Sequence, residues 1–170
     1  KPEWVNVNQL IDELGLLTRH KLRNQNIQLV RKLETDLPLV LADATQLEQV
    51  FLNLMLNAVE AMPQGGNLSI ITRSMASSKL SSKGDTAPMW LSIEFRDTGH
   101  GMSEEHRKRV FTSLLSTTKS RGTGLGLAIV QKIIEAHQGK IKLRSKPGRG
   151  TSFQILLPPN SPEGAPGLQV

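Results

Sequence analysis

Asn53 and Asn57 stand four residues apart in a segment that reads as a helix, so their amide side chains lie one turn apart on one face. An amide oxygen is a neutral hard ligand and suits Mg²⁺, which prefers oxygen and keeps several waters. The two also belong to a polar stripe, Gln46, Gln49, Asn53, Asn57 and Glu60, which reads equally well as the solvent side of an amphipathic helix. A second group is Asp97-Thr98-Gly99-His100-Gly101. The strand that leads to it alternates, with Leu91, Ile93 and Phe95 on one face, and Asp97 shares their parity. A carboxylate on an inward face needs a donor, because an unpaired buried charge is costly. The exocyclic amino group of adenine is one such donor. A turn that Asp97 itself stabilises is the alternative. Gly99 and Gly101 would let the backbone approach a flat base closely. The third group is Gly122-Thr123-Gly124-Leu125-Gly126-Leu127, which opens a helix. Free N–H groups at a helix start bind phosphate, and Lys119 upstream adds a charge. No Lys-Ser or Lys-Thr closes this run, so it is not a P-loop, and neither a preceding strand nor a following acid makes it a dinucleotide fingerprint.

These groups need elements to hold them. Val5 to Asn24 reads as a short extended stretch and one helix, with Leu10, Ile11, Leu14 and Leu17 on its apolar face. Ile27 to Leu33 suits a strand. Asp43 to Ala61 is the clearest helix, with Asp43 as N-cap and Gln46 as its capping-box partner. Its apolar stripe is Leu47, Val50, Phe51, Leu54 and Ala58, and Pro63 with Gly65-Gly66 ends it. Asn67 to Arg73 and Trp90 to Asp97 read as strands, joined by a Ser-, Lys- and Gly-rich hairpin loop from Ser74 to Pro88 that is expected to be mobile. Ser103 caps a short helix. Gly124 to His137 is a second long helix, with Leu127, Val130, Ile133 and Ile134 inward and Gly139 as its stop. Lys140 to Ser145 and Thr151 to Leu157 form a hairpin around Pro147-Gly148 and Gly150. This order predicts an α+β fold, a two-layer α/β sandwich. Its mixed, mostly antiparallel sheet has about five strands, with three main helices on one face. Residues 1–159 form one domain and 160–170 a flexible tail.

Composition narrows the function classes. With no cysteine among 170 residues there are no disulfides, thiolate metal sites or cysteine nucleophiles. No apolar run is long enough to span a membrane. The net charge is +6, from 21 basic and 15 acidic residues that look scattered along the chain. Aromatics are 4%, too few for base-stacking platforms, so nucleic acid is not the expected partner.

In order along the chain, the three groups resemble the ATP-binding domain of sensor histidine kinases, in the superfamily shared with gyrase, heat-shock chaperone and mismatch-repair ATPases. DATQLEQVFLNLMLNAVEA at Asp43 to Ala61 resembles its N box, and DTGHGM at Asp97 to Met102 its first glycine box. Phe111 falls where the F box phenylalanine stands. GTGLGLAIV at Gly122 to Val130 resembles the second glycine box, and Gly148-x-Gly150-Thr151-x-Phe153 the closing strand. The resemblance covers Val5 to Pro158 and implies a Bergerat-type ATP-binding fold. It departs from the family pattern at His100, where a small residue is commoner, and at Thr112 to Leu115, where a Glu-Pro-Phe-Phe-like run is usual.

The resemblance implies roles residue by residue. Asn57 binds Mg²⁺ and Asn53 sits beside the phosphates. Asp97 is the adenine-binding carboxylate, with Gly99, Gly101 and Thr151 nearby. Lys119 and the N–H groups of Gly122, Thr123, Gly124, Leu125, Gly126 and Leu127 hold the triphosphate, under a mobile lid from Thr112 to Gly122. Asn53 and Lys119 are the implied catalytic pair. Hydrolytic members carry a Glu one turn before the metal-binding Asn, whereas Asn53 here cannot take a proton. That favours phosphoryl transfer to an imidazole over ATP hydrolysis or an anti-sigma-type serine/threonine kinase. A binding module with a degenerate site is disfavoured because every ligand position is present. His20, His100, His106 and His137 all lack the acceptor setting and read as ordinary surface histidines. The dimerisation helices with the acceptor are therefore expected upstream of Lys1. The expected partners are those helices, a second copy of the full-length protein and a response regulator. The chain is expected to be cytoplasmic, with no membrane contact of its own.

Overall fold

The stretch with the cleanest alternation becomes the centre of the sheet. The computed structural model describes residues 1–76, 89–110 and 123–158, with the side chains of 123–125 left aside. In chain order the elements are β1 (Glu3–Val5), α1 (Val7–Leu17), α2 (Arg19–Asn24), β2 (Ile27–Leu33), β3 (Val40–Ala42) and α3 (Ala44–Ala61). They continue with β4 (Gly66–Ala76), β5 (Met89–Asp97), α4 (Glu104–Arg109), α5 (Thr123–Ala136), β6 (Lys140–Lys146) and β7 (Gly150–Leu157). Five strands form one sheet in the order β2-β4-β5-β7-β6, and β1 pairs with β3 in a separate two-stranded sheet. Only β2 and β4 run parallel; the other neighbours in the large sheet are antiparallel. The expected mixed, mostly antiparallel five-stranded sheet is thus present.

Register explains why one face of this sheet is covered. Ile70, Phe95 and Phe153 lie abreast across β4, β5 and β7, as do Thr72, Ile93 and Ile155. All six are buried. Against them α3 lays Leu47, Val50, Phe51, Leu54 and Ala58, all buried as the helical spacing predicts. The Phe51 and Phe95 rings meet with centroids 5.6 Å apart and planes tilted by 41°. Each such side chain withdrawn from water contributes roughly 1.5–3 kcal/mol before chain entropy is charged against it. Helix α5 adds Leu127, Val130, Ile133 and Ile134 to the same core, and α1 adds Val7, Leu10, Ile11 and Leu14.

Three local expectations need correction. Val5 to Asn24 holds two helices, since α1 ends at Thr18, whose hydroxyl donates to the Leu14 carbonyl. Leu17 consequently leaves the apolar face and is 73% exposed, while Leu22 of α2 is buried. The capping box at Asp43 is half made. Asp43 Oδ1 accepts from the Gln46 N–H at 3.0 Å, but the Asp43 N–H donates to Nε2 of His137 at 3.1 Å. His137 is therefore no ordinary surface histidine, and its Nδ1 lies 2.8 Å from the Ile133 carbonyl oxygen. At the end of α5 the left-handed residue is Gln138 (φ 61°). Gly139 is required instead because a Cβ there would stand 2.6 Å from the Leu156 carbonyl oxygen. The Ser74–Pro88 loop and the 160–170 tail lie largely or wholly outside the described residues, although 74–76 belong to β4.

Candidate functional site

Three elements converge beside the C-terminal half of α3. Asp97 ends β5 on its buried parity and is only 6% exposed. Its Oδ1 accepts two backbone hydrogen bonds, from Gly99 N–H at 2.8 Å and from Thr151 N–H at 3.2 Å. Oδ2 takes no partner among the described residues. Asp97 thus stabilises its own turn through Oδ1, and Oδ2 remains an acceptor without a partner among the described residues. Burial pushes its carboxyl above the usual carboxylate range, opposed by the bonds from Gly99 and Thr151 and by nearby His100.

The backbone around Asp97 is held by contacts that only glycine allows. His100 N–H donates to the Ala61 carbonyl at 3.0 Å, and Gly148 N–H to the His100 carbonyl at 2.7 Å. A Cβ on Gly99 would stand 2.3 Å from the Ala61 carbonyl oxygen, and one on Gly101 (φ 71°) 2.0 Å from that of Lys146. These two glycines admit the protein's own backbone, a use that differs from the close approach to a base inferred from spacing. Gly150 (φ 106°) serves the same end, since its Cβ would meet the Asp97 carbonyl oxygen at 2.1 Å. Thr151 contributes its N–H to Asp97, while its hydroxyl lies 2.8 Å from that of Ser145. Ser145 in turn accepts from the Met102 N–H at 2.8 Å. Ser145 escaped the sequence reading. Its only signal was an inward-parity serine opposite Thr151.

Asn53 and Asn57 occupy the part of α3 that faces α5 and the Asp97 loop. Both are half-buried, whereas Gln46, Gln49 and Glu60 of the same polar stripe are exposed. Nδ2 of Asn57 is buried and has no partner among the described residues. A buried amide N–H without a partner is costly unless water or the acceptor of a ligand completes it. Gly126 faces Asn53: a Cβ there would lie 3.7 Å from Asn53 Cγ. The first turns of α5, with Thr123, Gly124 and Leu125 in its backbone, are thereby set beside Asn53. Leu127 turns inward and is fully buried. Phe111, Lys119 and Gly122 lie outside the described residues. Among the described residues no cluster of His, Asp or Glu could hold a metal by itself. No helix among them is long and apolar enough to cross a membrane.

Comparison with known proteins agrees with this fold. The family model described as histidine kinase-, DNA gyrase B-, and HSP90-like ATPase matches residues 42–161. Sporulation kinase E of Bacillus subtilis is 37% identical over 156 residues, covering 92% of this chain and 20% of that protein. The histidine-protein kinase AtoS of Escherichia coli is 36% identical over 164 residues, covering 95% of this chain and 25% of AtoS. The chain thus spans a fifth to a third of such relatives. The solved catalytic domain of the histidine kinase ThkA superposes with a TM-score of 0.78 at 32% identity, covering 94% of this chain and 96% of that one. A structure of ThkA with the response regulator TrrA matches at 27% identity and a TM-score of 0.73, covering 96% of this chain and 43% of that one.

Proposed function

This chain belongs to the histidine kinase-, DNA gyrase B- and HSP90-like ATPase family, as the catalytic domain of a histidine kinase, and from that premise we propose that it binds Mg-ATP between α3, α5 and the Asp97 loop and donates the γ-phosphoryl group to a histidine outside this chain. The observation that carries the reading is Asp97, buried and anchored through Oδ1 with Oδ2 left open. That oxygen would accept from the adenine amino group. The N–H groups at the start of α5, from Gly122 to Leu127, and Lys119 would hold the phosphates. Asn57 would give Mg²⁺ an amide oxygen, and the metal would neutralise charge on the transferring phosphoryl group. With no acidic cage among the described residues, most of its ligands would come from phosphate and water.

Asn53 sits where a hydrolytic enzyme would need a base, and an amide takes no proton. Transfer to a neutral imidazole needs none, because its nitrogen is already a nucleophile, and the Pγ–O bond to the departing diphosphate breaks as the new P–N bond forms. The recipient would be a histidine on dimerisation helices, from which a response regulator aspartate takes the phosphoryl group. The test supplies radiolabelled ATP to this chain, alone and together with a fragment carrying such helices. Acid-labile, base-stable label on the helical fragment supports the reading. Steady phosphate release by the chain alone, without transfer, would establish an ATPase instead.

A further inference from the structure

Cations that look scattered in the sequence are gathered by the sheet. On β6, Lys140, Lys142, Arg144 and Lys146 alternate with the inward Ile141, Leu143 and Ser145, and all four cations are exposed. They point to the sheet face that no helix among the described residues covers. There they stand beside Leu156, Gln154 and Ser152 of β7, and beyond those beside Arg96 of β5. Arg73 and Lys32 continue the same face on β4 and β2. The one carboxylate among these positions, Glu94, is already bonded to Arg96 at 2.9 Å and to the Ser152 hydroxyl at 2.6 Å. No ion pair is recorded for the four β6 cations among the described residues.

The row has two further properties. It repeats every second residue, a spacing of about 7 Å along an extended strand. It also lies on an edge strand: the sheet order ends at β6, and no hydrogen bond to its outer edge over residues 140–144 is recorded among the described residues. We infer that β6 docks an extended acidic segment of a partner protein, with Asp or Glu at alternate positions, which adds a strand to the sheet and sets a carboxylate opposite each cation.

Periodicity and the open edge select this occupant. Opposite charges directly across neighbouring strands attract, and like charges repel. A second copy of β6 would set cation against cation, so the same row that admits an acidic strand rejects self-pairing. A lipid surface or a nucleic acid would use the charge but neither the strand spacing nor the free backbone edge. The nucleotide-facing residues are on the other side of the sheet, so docking leaves the Asp97 site open.

The test is fluorescence anisotropy of a labelled peptide of alternating Glu and Val, against a block peptide of the same composition. The alternating peptide should bind at least tenfold more tightly. Hydrogen exchange should slow across residues 140–144 when it binds. The double variant Lys142→Glu with Arg144→Glu should weaken binding at least tenfold, while its circular dichroism and ATP affinity stay those of the parent. Equal binding of the two peptides overturns the proposal, as does unchanged exchange at β6. Retention on phosphatidylserine vesicles or on duplex DNA without binding of the alternating peptide overturns it too.

Discussion

The backbone N–H of Asp43 donates to Nε2 of His137, 3.1 Å away and 94 residues on in the chain. The bond ties the N-cap of α3 to the residue that follows α5, the two helices that flank the candidate site. A typical intramolecular hydrogen bond contributes about 1 kcal/mol. His137→Ala is expected to lower thermal stability by about 2–4 °C in a domain of this size, measured by calorimetry. His137→Phe keeps an aromatic ring but removes both imidazole hydrogen bonds, to Asp43 and to the Ile133 carbonyl, and so separates hydrogen bonding from ring packing. A melting temperature unchanged in both variants would show that water replaces the imidazole at no cost.

Asp97→Asn separates binding from folding. The amide oxygen can keep the bonds from Gly99 and Thr151, so the fold should persist. The amide nitrogen then stands where Oδ2 stood and sets a donor against the adenine donor. Losing a hydrogen bond to a charged group and leaving donors opposed costs about 2–3 kcal/mol or more, a loss of roughly a hundredfold in ATP affinity. Isothermal titration reads it directly, and unchanged affinity would remove Asp97 from the site.

The carboxyl of Asp97 also sets a pH dependence. Burial raises it above the ordinary aspartate value of 3.8, more than the bonds from Gly99 and Thr151 and the nearby His100 lower it. The folded state therefore holds the proton more tightly than the unfolded chain does. Asp97 contributes stability that is present below 3.8 and lost as pH rises through its higher folded value. Relative to Asp97→Asn, the parent should gain stability on acidification through that window. Its ATP affinity should fall over the same window, because a protonated Oδ2 no longer serves as a free acceptor. Parallel denaturation and binding series at several pH values check both signs.

Asn57→Ala is expected to remove at least tenfold of the affinity that Mg²⁺ adds, while metal-free nucleotide binding changes little. It also removes a buried donor that has no partner among the described residues, so stability should hold or rise slightly. Titrations with and without Mg²⁺, beside thermal melts, distinguish a ligand position from a packing position.

Gly101→Ala and Gly148→Ala share a left-handed backbone, φ 71° and 76°, but differ in surroundings. At Gly148 nothing lies within 4 Å of the added methyl, so the cost is backbone strain alone, about 1–2 kcal/mol. At Gly101 the methyl would be 2.0 Å from the Lys146 carbonyl oxygen, so the Asp97 loop or the β6–β7 turn must move. Gly101→Ala should therefore be clearly the less stable variant and should lose ATP affinity as well. Equal melting temperatures would contradict that contact.

Short-range pattern was enough for much of this protein. The alternation of Leu91, Ile93 and Phe95 identified a strand, and it proved to be the central one. The stripe from Leu47 to Ala58 identified α3, and Asp43 its cap. These follow from the two periods, 2.0 and 3.6, that local backbone geometry imposes on side-chain direction. The order of the Asn pair, the Asp97 turn and the glycine-rich helix start was also legible, because each group is contiguous in sequence. What the tertiary structure decided is whatever depends on pairing between distant segments. Strand register placed the Thr151 N–H on Asp97 and left Oδ2 open. Backbone passing within bonding distance made Gly99 and Gly101 obligatory for the fold itself. The break at Thr18 turned Leu17 to solvent, and a contact across 94 residues gave His137 its role. Register also collected dispersed lysines and arginines onto one open face. Neighbours across a sheet are set by hydrogen-bonded register between strands, and no spacing within a single strand encodes that.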